Sequence, residues 1–181
     1  MKVALFFWYT TEEGNNSLKH AVFGRYDECG IMFVGDSEIE AFYTMANGVY
    51  RKYTMTKKNN WSIRVTVDFL LLSVDEEEQQ RLKSTCVALA ATQKPYNLKD
   101  ELLRYVPFIN QVEMSIFEAK TLNNPQALVL LLRECLSRTN PLRLGLEGLH
   151  SRQTFAETLF DRLSPHCLPV LWSNLVGQLK T

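Results

Sequence analysis

Along the first part of the chain, apolar residues come in short runs broken by clusters of Gly, Asn, Asp and Lys, which is the pattern of strands and turns. KVALFFWYT, at 2–10, is apolar and aromatic almost throughout and stops at EEGNN. HAVFGRY (20–26) reads as a second strand, YDECG as a turn and GIMFVG (30–35) as a third strand. After GDS, EIEAFYTM (38–45) resumes a strand, and ANG and KKNN mark further turns. WSIRVTVDFLLLS (61–73) alternates at Ile63, Val65, Val67 and Phe69, then becomes continuously apolar.

The remainder has helical spacing. Ser73, Val74, Asp75 and Glu76 form a capping-box pattern: the serine can accept from the amide three residues on, and the glutamate can reach back. The helix they open runs through EEQQRLKSTCVALAATQ (77–93), with acids near its start as the helix dipole prefers, and KPYN ends it. LKDELLRYVPF (98–108) is a short helix broken at Pro107, and 110–123 fits either helix or extended loop. NNPQALVLLLRECLSR (123–138) then opens abruptly, with Asn124 as N-cap and Pro125 as first helical residue. Leu128, Leu131, Leu132, Cys135 and Leu136 share one stripe, and Val129 and Leu130 fill the other side, so this helix is expected to be surrounded by protein. Two last helices, 152–163 and 168–179, are separated by SPHC. Phe155, Leu159 and Leu163 form one stripe, and Leu168, Leu171, Leu175 and Leu179 suggest another; each fits a core face or a docking face. Strands first and helices second argue for α+β: an antiparallel sheet with helices packed on it. The expected organisation is a single domain, 1–181, with a core over 1–140 and a C-terminal helical extension over 141–181.

Composition narrows the function classes. The chain has 181 residues, 46% hydrophobic and 22% charged, a globular composition able to bury a core without staples. Twenty basic and 20 acidic residues give zero net charge, so no basic footprint points to nucleic acid or to an acidic membrane surface. The apolar start is too short to span a bilayer and lacks a small-residue cleavage site; no membrane span and no signal peptide are expected, which suggests an intracellular protein. There is no internal repeat or low-complexity segment. No GxSxG elbow, HExxH or glycine-rich phosphate loop is present. Cys29, Cys86, Cys135 and Cys167 are scattered, as are the three histidines; neither a metal nor a cofactor is expected. Trp8, Trp61 and Trp172 fit packing roles better than a base-stacking platform.

Among single residues, His20 begins an apolar run beside a polar loop, where a catalytic base can sit; it also fits a half-buried histidine with only local hydrogen bonds. Glu38 and Glu40 share one strand face, and a carboxylate there could orient the His20 ring and stabilise its imidazolium, or simply line a solvated strand edge. Cys135 and Cys86 sit mid-helix, where burial raises a thiol's pKa and leaves it inert. Cys29, in the turn YDECG, is expected to be exposed.

Taken in order, HAVFG, GIMFVGDSEIEAF, KPYNLKD and PQALVLLLRECL resemble the circularly permuted papain-like fold of the NlpC/P60 superfamily, which has bacterial and viral members. The resemblance covers roughly residues 1–140 and implies His20 as the base, Glu40 as the third site residue and a cysteine at the start of the helix near residue 124. A cysteine there would have its thiolate stabilised by orphan amides and the dipole. This chain has Asn124 and Pro125 instead, and neither can act as nucleophile. The resemblance therefore implies a degenerate cysteine-hydrolase site and a scaffold reused for binding a protein partner or for assembly. The alternative is an active cysteine peptidase, isopeptidase or acyl hydrolase pairing His20 with Cys135 or Cys29.

Overall fold

A strand that is apolar at nearly every position has to be covered on both faces, and β1 (Lys2–Thr10) is. In the computed structural model, which describes residues 1–10, 25–44, 50–56, 65–95, 114–119, 122–151 and 154–177, Val3, Leu5 and Phe7 point into one apolar cluster and Ala4 and Phe6 into another. β1 lies between β2 (Glu28–Val34) and β5 (Val65–Leu71), antiparallel to both, with Ala4 opposite Met32 and Phe6 opposite Phe69. Outward from β2 come β3 (Glu38–Thr44) and β4 (Tyr50–Thr56), and outward from β5 comes β6 (Leu168–Val170). The order is β4-β3-β2-β1-β5-β6, and every pairing is antiparallel. The GDS turn is realised between β2 and β3, where the Gly35 amide donates to the Glu38 carbonyl at 2.9 Å.

One sheet face carries α1 (Glu76–Thr92), α2 (Asn124–Cys135), α3 (Pro141–Gly145) and α4 (Ala156–Leu163). α1 presents Glu78, Leu82, Cys86 and Leu89 inward, one residue per turn. α2 is buried at ten of its twelve positions; only Arg133 and Glu134 are more open. The expectation that protein surrounds this helix is met. Leu142, Leu146, Leu159 and Leu163 join the same cluster as α2, so the core has no break at residue 140. The stripe of α4, Leu159 and Leu163, faces this core and not a partner. The other sheet face is aromatic: Phe6, Trp8, Tyr43, Tyr53 and Phe69 lie on it, with Trp172 and Leu175 from α5 (Trp172–Val176) packed against them.

The α+β architecture with an antiparallel sheet agrees with the sequence pattern, and the structure adds to or corrects it locally. YRKYTMT forms β4, a strand that its charged residues concealed between two turn signals. Residues 168–176 are not one helix: Pro169 has no amide to continue one, so 168–170 pair with β5 at the sheet edge and a short helix follows. Within 110–123, which fitted either helix or extended loop, the described residues include a turn at 116–118. Asp75, not Ser73, caps α1, since this places Glu78 at the third helical position, where its side chain reaches back to the Asp75 amide. Of the strand expected at 20–26, residues 20–24 lie outside the described residues and Arg25 and Tyr26 are not in a strand; the helix expected at 98–108, Trp61 and Leu179 also lie outside the described residues.

Candidate functional site

The start of α2 is where the sequence resemblance puts a nucleophile. Asn123 is the cap, one residue earlier than expected: it has extended backbone, and its side-chain oxygen accepts from the Gln126 amide at 2.7 Å. Asn124 is then the first helical residue and Pro125 the second, where a missing amide costs no intrahelical bond. Asn124 is 1% exposed, and its Nδ2 donates to Glu28 Oε2 at 2.5 Å. α2 has no acid in its own first turn. Glu28, at the beginning of β2, brings a carboxylate to the positive end of the helix from the sheet instead. This pair can hold a strand to a helix; it offers neither a nucleophile nor a free amide side chain. Sequence reading missed Glu28, whose one signal was an acid in the turn ahead of an apolar strand.

Glu40 is elsewhere. It pairs across the ladder with Phe33, five residues along β2 from Glu28, or about 16 Å of strand. Its carboxylate sits on the helix-side face between two lysines. Lys52 Nζ donates to Oε1 at 2.9 Å, and Lys83 Nζ, from α1, lies 3.1 Å from Oε2 as an ion pair without hydrogen-bond alignment. Burial pushes the Glu40 carboxyl up, but the two ammonium groups outweigh it and hold it below the ordinary carboxylate value. The structure thus does not bring Glu40 and Asn124 together. His20 lies outside the described residues.

Three of the four thiols are buried in the core, and Cys167 is partly buried against it. Cys29 is a correction: it is fully buried in β2, opposite Phe7, and not exposed in a turn. Cys86 faces the buried Tyr50 hydroxyl, and burial drives both groups well above their ordinary pKa values. Burial also raises Cys135, whose Sγ lies 3.4 Å from Thr85 Oγ1, and lifts Cys167 to about 12. A thiol so shifted is not ionised near neutrality.

A further polar cluster joins β1, β5 and α4. Tyr26 donates to Asp68 at 2.6 Å, and the Arg25 guanidinium lies over the Tyr9 and Tyr26 rings and 3.2 Å from Asp68. The Arg25 amide donates to Glu157 at 2.7 Å. Burial, then the bond to Asp68, raises the Tyr26 hydroxyl pKa, which keeps the phenol in the neutral form that donates to Asp68. Among the described residues no group of three His, Cys, Asp or Glu side chains is arranged to hold a metal, and no helix is long and apolar enough to cross a membrane. No family model, no curated protein and no solved structure matches the chain.

Proposed function

We infer that the chain is a binding module on a papain-like, circularly permuted NlpC/P60-like scaffold, acting through a protein partner and without cysteine chemistry. One observation carries the reading. At the helix start where the resemblance calls for sulfur, Asn124 is 1% exposed and its amide is engaged by Glu28. The burial of Cys29, Cys86 and Cys135 supports it, since a thiol must be reachable and ionisable to attack.

The test is alkylation of the folded protein with iodoacetamide at neutral pH, with each cysteine followed by peptide mass spectrometry. All four thiols should label slowly, within about tenfold of one another once their exposure is allowed for, and rapidly only in denaturant. A single cysteine that labels far faster than the rest, and that His20→Ala slows, would instead establish the cysteine hydrolase.

A further inference from the structure

We propose that the outer edge of β4 pairs with β4 of a second copy of this chain, antiparallel and centred on Thr54, so that two six-stranded sheets join into one. The inference concerns assembly and stands whether or not a thiol reacts.

The ladder fixes which backbone groups face outward. The Gly35 amide donates to the Glu38 carbonyl, so Glu38, Glu40 and Phe42 turn their amides and carbonyls towards β2, and Ile39, Ala41 and Tyr43 turn theirs towards β4. Their partners Met55, Tyr53 and Arg51 face back, which leaves the backbone groups of Tyr50, Lys52, Thr54 and Thr56 facing away from the sheet. The Tyr50 amide agrees: it donates to the Lys94 carbonyl at 3.0 Å and not to β3. Among the described residues, nothing bonds to the outward groups of the other three.

The opposite edge is closed. The Leu72 amide donates to the Val3 carbonyl at 2.9 Å, so the same alternation turns Phe69 and Leu71 towards β6, where they meet Val170 and Leu168. Pro169 is left facing outward and has no amide to offer. β6 has three residues, whereas β4 has seven and no proline. A long open edge is commonly guarded by a lysine. Lys52 does not serve as one, because Glu40 holds its Nζ at 2.9 Å over the sheet.

A second copy fits this edge because the open set is symmetrical. Lys94 closes it before Lys52, the strand ends at Thr56, and Thr54 stands midway. Two copies antiparallel about Thr54 set Thr54 opposite Thr54 and Lys52 opposite Thr56, with about six backbone hydrogen bonds. No lysine then opposes a lysine, and a threonine pair, which cross-strand packing favours, lies at the centre. The edge is its own complement. Three outward residues make a small interface, so the dimer is a weak one that forms with rising concentration.

The experiment is sedimentation equilibrium of the full chain from about 5 to 500 µM, where mass action reveals a weak dimer. The average mass should rise from one chain towards two and no further. Thr54→Pro removes the central outward amide and should weaken the dimer at least about tenfold. Thr54→Lys keeps that amide but opposes like charges at the centre, and should weaken the dimer about threefold. Glu40 lies opposite position 54 within the chain and accommodates the added ammonium, so this variant decides the matter if the proline variant fails to fold. Thr54→Cys under mild oxidation should cross-link two chains beyond the level of the unmodified protein, and Lys52→Cys should not. Only position 54 meets its own copy, at a Cα spacing of about 5.5 Å that a disulfide spans. A single chain at every concentration overturns the proposal and leaves the edge to a strand of another protein. Growth beyond two chains, a dimer unweakened by either Thr54 variant, or equal cross-linking by the two cysteine variants also overturns it. The alkylation result is separate: a fast thiol removes the non-catalytic reading and leaves the dimer in place.

Discussion

Glu78 is the residue on which two distant segments are tied. Its carboxylate accepts from the amides of Asp75 and Ser137 at 3.1 and 2.8 Å, and from Asn140 Nδ2 at 3.1 and 3.0 Å. Burial pushes its carboxyl up, but these donors favour the charged form and hold it below the ordinary value of 4.5. A carboxylate depressed in the folded state stabilises the protein above its unfolded pKa, and that stabilisation fades as pH falls through the folded value. Glu78→Gln should therefore cost about 2–3 kcal/mol in urea unfolding at pH 7, and the deficit should shrink as the pH is lowered below about 4. Gly30 is the other residue with no tolerance. A Cβ there would stand 2.8 Å from the Phe42 carbonyl and closer still to the Phe6 ring, which lies across β2. Gly30→Ala should destabilise by about 1–3 kcal/mol by chemical denaturation. Neither role could be read locally: a glutamate in an acidic run and a glycine before an apolar strand look ordinary until the opposing segment is in place.

At the scale of elements, the sequence located the starts of α1 and α2 well and their cap residues less well, and it gave no sign of the short helix at Pro141–Gly145. NNP and SVDE each contain two competent caps, and which one serves depends on what else competes for its neighbour. At α2, Glu28 takes the amide of Asn124 and Asn123 caps. At α1, Asp75 caps because it puts Glu78, already committed to the 137–140 loop, at the third position. Asn123→Ala should cost about 1 kcal/mol, read as a lower denaturation midpoint with unchanged m-value. The opening residues of α2 are thus explained as packing and capping, and the helix needs no nucleophile to account for its abrupt start.

On the scale of the molecule, the chain beyond residue 140 completes the fold. Its helices share the cluster around α2, β6 closes one edge of the sheet, and α5 sets Trp172 against Phe69 and Leu175 into the second face. Leu175 is 1% exposed, and Leu175→Ala should cost about 2–4 kcal/mol, seen as a single cooperative thermal transition moved to lower temperature. The leucine spacing of 168–179 suggested a helix because spacing reports a period and not a partner. Here Leu168 and Leu171 are 61% and 70% exposed, whereas Leu175 is buried.

The linear pattern alone was enough to set the α+β class, the first strand at 2–10 and the burial of α2, because each depends on how a segment's own residues alternate between core and water. Three-dimensional packing chose β4 and β6 as strands, Lys52 and Lys83 as the partners of Glu40, and Glu28 as the partner of Asn124. Those outcomes join residues far apart in the chain through strand register and helix docking, and a side chain's long-range partner leaves no mark on its immediate neighbours.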